Sequence, residues 1–156
     1  MKTLYRSFML PYLEYGIEIW HSAYKNVTDK LFILQKKAIR YTFNLEYNSH
    51  TTQYFKDFGV LELADIHKFK ILTILYSCLN YETYPFIYDK LNLGSLIHCH
   101  HTRNANSLRL PLYNRSKSQK SFLYASINSW NSLPDTSFNS VRSFKVYLLN
   151  RLLNQY

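Results

Sequence analysis

The chain has 156 residues, 47% of them hydrophobic and 17% aromatic, so it can bury a core and is not a disordered segment. With 3 Gly and 4 Pro it does not read as a turn-rich sandwich, and no apolar run reaches the roughly 18 residues of a membrane span. Its formal net charge of +9 points to a polyanionic partner, nucleic acid first; a merely soluble basic surface is the alternative.

Leu4, Phe8, Pro11/Tyr12, Tyr15 and Ile19 recur at helical spacing, which predicts an amphipathic helix over residues 3–20, kinked near Pro11. The apolar start MKTLYRSFMLPYLEYG is not read as a signal peptide, because Glu14 and Glu18 fall inside the stretch and no small-residue cleavage site follows. Asn26 or Thr28 is expected to cap a second helix over 28–43. At roughly 100° per residue, Leu31, Leu34, Ala38 and Tyr41 share one arc of it, the predicted core stripe. Lys30, Lys36, Lys37 and Arg40 fill the adjacent arc, with Asp29 the only nearby acid. That arc reads as a phosphate contact, or else as a solvated face.

Thr51-Thr52 starts a short predicted helical turn that Gly59 ends. Residues 62–80 form the most apolar helix, with Leu63, Ile66, Phe69, Leu72, Ile74, Leu75 and Leu79 round most of its circumference, as in a central, buried element. YPFIYDKL suggests another helical turn. From about 92 to 120 periodicity vanishes, apart from a brief alternation at Leu108–Leu112 that could form a strand. Ser140 or Ser143 is expected to cap a last helix with Phe144, Tyr147/Leu148 and Leu152 at core spacing. The predicted fold is mostly α: a small helical bundle, then a loop-rich basic segment and a C-terminal helix. Three stretches follow: residues 1–60 with eight cations against five acids, 61–97 with three against four, and 98–156 with eight against Asp135 alone.

Site chemistry is thin. The run His98-Cys99-His100-His101 lacks the two paired ligand turns of a structural zinc site, and His21, His50 and His67 stand alone. Adjacent side chains of an extended loop point opposite ways, so at most two of the four could share an ion. The two cysteines, Cys78 and Cys99, form no CxxC, which fits an intracellular compartment, nuclear or cytoplasmic. The ten acids are scattered, with no pair placed for two-metal phosphoryl transfer, and there is no Gly-rich phosphate loop or nucleophile elbow. No catalytic residue, metal ligand or cofactor is expected, and neither is polymerase or nuclease activity.

Two stretches carry more. The first, over 4–40, holds Leu4, Tyr5, Ser7, Pro11, Leu13, Tyr15, Gly16 and Trp20, followed by a basic Leu34–Arg40 segment, LQKKAIR. The second, over 101–149, holds Thr102-Arg103-Asn104, Leu108, Pro111, Arg115, Ser121-Phe122, Tyr124, Trp130-Asn131-Ser132-Leu133-Pro134 and Ser143-Phe144-Lys145. In this order they resemble the C-terminal end of reverse transcriptases from LINE-type (non-LTR) retrotransposons, across nearly the whole chain. Ala125 stands where that family often has Gly.

The resemblance implies a thumb over 1–60, a central buried helix and helical turn over 61–97, and a post-thumb region over 98–156 comprising a basic connector, the WNSLP motif and the last helix. Fingers, palm and the catalytic aspartate box would precede Met1, so it also implies a piece that is not catalytic by itself. Such a thumb tracks template–primer nucleic acid by its backbone, without reading sequence. The expected contacts are Lys30, Lys36, Lys37 and Arg40, with Arg103, Arg109, Arg115, Lys117 and Lys120 of the connector as a second clamp. Trp20, Trp130, Asn131, Leu133, Pro134 and Phe144 are the expected structural residues. Trp130 reads either as a core anchor, favoured by Pro134 and the helix beyond it, or as a base-stacking platform. RNA, DNA and the missing palm domain are the expected partners, with no membrane and no small-molecule substrate. A domesticated or relic protein-interaction module without a nucleic-acid role is the alternative, and an autonomous metal-dependent enzyme a third.

Overall fold

The computed structural model describes residues 2–81, 83–91, 107–134 and 137–156, and among these the chain is mostly α-helical. In order come α1 (Lys2–Leu4), a π-turn (Tyr5–Met9), α2 (Leu10–Glu14), α3 (Ile17–Trp20), α4 (Lys25–Phe43), α5 (Thr52–Phe58) and α6 (Leu63–Tyr81). Then follow α7 (Pro85–Tyr88), α8 (Ser116–Gln119), α9 (Phe122–Asn131) and α10 (Val141–Leu153). The chain packs as two compact units, Met1–Lys70 with Lys145–Tyr156, and Ile71–Phe144. These follow packing, whereas the stretches 1–60, 61–97 and 98–156 follow charge and composition.

In the first unit the helix expected over 3–20 is interrupted at the kink expected near Pro11 and again at a second place that was not expected. Pro11 has no N–H and its ring crowds the carbonyl four residues back, and just ahead of it the ladder widens, Leu10 N–H bonding to Tyr5 O. The second break is at Gly16, whose φ of 62° lies in the left-handed region that glycine enters without a side-chain penalty. Trp20 Nε1–H, one turn on, donates to Tyr15 O at 2.7 Å. The spacing Tyr15-Gly16-x-x-x-Trp20 is therefore a turn closed by an indole. The predicted core stripe here is also corrected: Leu4, Phe8, Tyr12, Tyr15 and Ile19 are all exposed, while Tyr5, Leu13 and Ile17 are buried.

The core of this unit gathers Tyr5, Ile39, Phe55, Phe58 and Val60, with Tyr5 and Phe43 edge-on to Phe58. Gln35 is fully buried among apolar neighbours. Its Nε2 donates to Leu61 O (2.9 Å) and Tyr5 Oη (3.1 Å), and its Oε1 accepts from Leu63 N–H (2.9 Å) at the start of α6. One amide thus satisfies an orphan donor of a helix end and fixes α4 against it. Tyr156 binds the same helix end: its hydroxyl accepts from Glu62 N–H (2.8 Å) and donates to Asp65 Oδ2 (2.7 Å). Burial, then the Asp65 bond, pushes this phenol's pKa up, so it stays protonated.

The expected cap of α4 is also corrected. The helix begins at Lys25, before both proposed capping residues, and Thr28 Oγ1 donates back to Lys25 O. The short helix that Gly59 ends forms as read from the sequence, with Gly59 at φ 62°.

His21 and His67 stack at 4.1 Å between ring centroids. Burial of His67, then the positive potential of His21 and of Lys68, lowers its pKa from 6.5 to about 4. The folded state therefore keeps His67 neutral while the unfolded chain takes up a proton near pH 6.5. Stability from this group is complete above that pH and is lost as pH falls through about 4. Denaturant midpoints should consequently drop over that window more steeply for the native chain than for His67→Gln. Parallel curves would remove His67 as the cause.

The second unit is organised round aromatic rings. Tyr76 and Phe144 stack at 4.4 Å, Trp130 lies 5.8 Å from Phe144, and Phe138 stands edge-on to Phe144 at 5.4 Å. Tyr76 Oη donates to Phe138 O at 2.6 Å. Asn131 clamps the backbone of Leu108 twice, Oδ1 accepting from its N–H (3.0 Å) and Nδ2 donating to its carbonyl (2.8 Å). No strand forms over Leu108–Leu112: Leu108 has an isolated bridge, and its backbone groups go to the Asn131 amide. Ser140 caps α10, its Oγ accepting from Ser143 N–H (3.1 Å), while Ser143 Oγ donates to Ser140 O (2.8 Å). Helix α9 was not expected from the sequence.

Candidate nucleic-acid interface

Helix α4 carries the expected cations, but its orientation is rotated from the one the sequence suggested. Gln35 and Ile39 mark its buried side, and Leu34 and Tyr41 of the predicted core stripe are 52% and 82% exposed. The stripe therefore lies roughly 100° round the helix from the true core side, at about 100° per residue. The shift divides the four cations into two kinds.

Lys30 and Lys37 are exposed, make no ion pair among the described residues, and flank Leu34 and Tyr41 on the outward face. They stand two turns apart, about 10 Å along the axis. Lys36 and Arg40 are half-buried and turned to other work. Lys36 Nζ sits 4.2 Å over the Phe32 ring and lies near Glu62, whose pKa is raised by burial and partly pulled back by this lysine. Arg40 Nε–H donates to Ser49 O at 3.1 Å and pins the turn Glu46–Ser49 to the helix.

That turn makes a feature the sequence did not announce. Helix α4 ends at Asn44 (φ 51°), Leu45 N–H returns to Arg40 O, and Ser49 N–H closes on Glu46 O. Lys37, Arg40, Tyr41, Leu45 and Tyr47 then line a solvent-open pocket of about 240 Å³. Tyr47 belongs to no periodic stripe; it lines the pocket with Tyr41 from the turn that the Arg40–Ser49 bond ties to the helix. The only sequence signal was an aromatic three residues after a breaker, Asn44, at the end of a basic helix.

Of the connector cations, Arg109, Arg115 and Lys120 are exposed in the second unit. Arg103 and the side chain of Lys117 lie outside the described residues, as do His98, Cys99, His100 and His101. Among the described residues no three His, Cys, Asp or Glu side chains converge as metal ligands. Nor does any described helix have the length and apolarity to cross a membrane. Trp20 is half-buried and Trp130 buried; Leu133 is half-buried, Pro134 exposed and Phe144 fully buried. Asn131 acts through its clamp on Leu108.

Comparison of the chain with family models, with curated proteins and with solved structures gives no match.

Proposed function

We propose that the chain is the thumb and post-thumb piece of a reverse transcriptase of the LINE type, holding template–primer nucleic acid through its phosphates and performing no catalytic step itself. The observation that carries this reading is the outward pair Lys30 and Lys37 on a firmly packed helix, in a chain of net charge +9. Two cations with no ion-pair partner among the described residues, on a helix fixed by Gln35, supply affinity without base contacts. The turn closed by Gly16 and Trp20 gives the first motif of the resemblance a structural reason, which supports the reading independently of charge.

A salt titration of binding to an RNA–DNA hybrid tests it. Each phosphate contact adds a slope of about −0.9 in log affinity against log salt on B-form DNA. Lys30→Gln/Lys37→Gln should flatten the slope by roughly two units for every sequence alike, with helicity unchanged because both side chains are exposed. Replacing Arg109, Arg115 and Lys120 should flatten it separately and additively. Lys36→Gln should change it little, since that cation is held over Phe32. An unchanged slope in the folded Lys30→Gln/Lys37→Gln variant would end the tracking role.

A second reading, a protein-interaction module, is favoured by the exposed apolar and aromatic side chains of Leu4, Phe8, Tyr12, Tyr15 and Ile19. Salt-insensitive capture of one defined protein, lost on Tyr12→Ser/Tyr15→Ser, would support it.

A further inference from the structure

We infer that the pocket at the C-terminal end of α4 is a subsite for an unpaired nucleotide, its base held against Tyr41 and Tyr47 and its phosphate by Lys37; this rests on the nucleic-acid reading above.

The pocket joins two features that single-strand binding requires, exposed aromatic faces and adjacent cations. Tyr41 is 82% and Tyr47 76% exposed. A tyrosine left so open offers the face on which any base can stack, whatever its sequence. Leu45 supplies the apolar wall and Arg40 the fixed one, since its Nε–H is bound to Ser49 O and the turn cannot drift from the helix.

The electrostatics set which part of a nucleotide goes where. The carbonyl end of a helix carries partial negative charge, which disfavours a phosphate on the axis and favours cations in the last turns. Lys37 and Arg40 stand there, and Lys37 belongs to the same outward face as Lys30. A strand whose phosphates run past Lys30 and Lys37 therefore reaches Tyr41 and Tyr47 at the end of the helix. There a neutral, flat base fits better than another phosphate. A base inside a duplex has both faces covered and cannot use this surface, so the subsite selects a nucleotide beyond the duplex end.

The test compares the full chain on a blunt RNA–DNA hybrid and on the same hybrid with a short unpaired extension carrying a fluorescent adenine analogue. The extension should tighten binding roughly tenfold and quench the analogue, in line with the stacking contribution of one base. Tyr41→Ala/Tyr47→Ala should abolish both effects while leaving blunt-end affinity and salt slope as in the native chain. Tyr41→Phe/Tyr47→Phe should retain them, because the ring face is kept. Circular dichroism controls for folding.

If the extension gives no gain, or the alanine variant keeps it, the subsite is refuted while duplex tracking stands. If the blunt hybrid fails to bind but a quenched, tyrosine-dependent complex forms with single strands, tracking fails and the subsite stands. Binding to neither refutes both. If instead the alanine variant changes the mass by light scattering and not the nucleotide affinity, the surface joins two copies and the subsite is refuted.

Discussion

Gln35→Leu is expected to lower the stability of the first unit by about 3–6 kcal/mol, although leucine nearly matches glutamine in volume and suits the apolar surroundings. The substitution strands Leu63 N–H, Leu61 O and the Tyr5 hydroxyl in a region where Gln35 itself has no exposure. Each orphaned group costs about 1–3 kcal/mol, and two of the three are backbone groups that no second mutation can delete. Against the 5–15 kcal/mol typical of a folded domain, that is a large fraction. Tyr5→Phe removes one partner alone and should cost about 1 kcal/mol. The chain has two tryptophans, and Trp20 belongs to the first unit, so its fluorescence in a Trp130→Phe background reports this unfolding. A Gln35→Leu midpoint close to that of Tyr5→Phe would show that the backbone groups find other partners and that the amide is not the anchor.

The same residue explains why the phase of α4 was hidden in the sequence. The helix itself was legible from its length and spacing, but a glutamine at the centre of the buried side makes the true core stripe look polar. Apolar Leu34 and Tyr41 then drew the predicted stripe to the outward face. What buries Gln35 is a helix start 28 residues further on, Leu63, and no periodicity within α4 records that contact. The stripe Leu4, Phe8, Tyr12, Tyr15 and Ile19 misled for a related reason. Its spacing assumes that one helical phase carries through the expected kink at Pro11, and the widened turn there and the break at Gly16 change the phase twice. Helix α6 was readable because it is apolar on most sides and needs no phase. Helix α9 was missed because Ser121, Ser126, Asn128, Ser129 and Asn131 look like loop composition. Leu123, Ile127 and Trp130 at helical spacing behind Ser121 were the available signal. Of the candidate interface, the cations were legible as a group. Their division was not, because Lys36 turns to Phe32 and Arg40 to Ser49, and only the second of these is beyond the helix.

Trp130→Ala should destabilise the second unit by about 3–5 kcal/mol, the range for emptying a large aromatic site in a core. The indole is 9% exposed and lies 5.8 Å from Phe144 and 6.2 Å from Tyr76, ring to ring. Tilted aromatic pairs of this kind add about 0.5–1.5 kcal/mol beyond the area they bury. Removing the ring leaves the stacked Tyr76–Phe144 pair with a void on one side. It also loosens the end of α9, from which Asn131 holds the Leu108 backbone. A base could stack on Trp130 only if the indole left this cluster, so the anchor role and the platform role predict different results. Trp130→Phe keeps a ring in the site and leaves a smaller void, so it should cost clearly less than Trp130→Ala. Under the anchor role, the folded fraction of either variant binds an RNA–DNA hybrid with native affinity and slope. A Trp130→Ala chain that stays fully folded, with native midpoint and native near-ultraviolet dichroism of the remaining rings, yet loses nucleic-acid affinity, would instead make Trp130 a contact. The aromatic cluster would then have to open in the bound state.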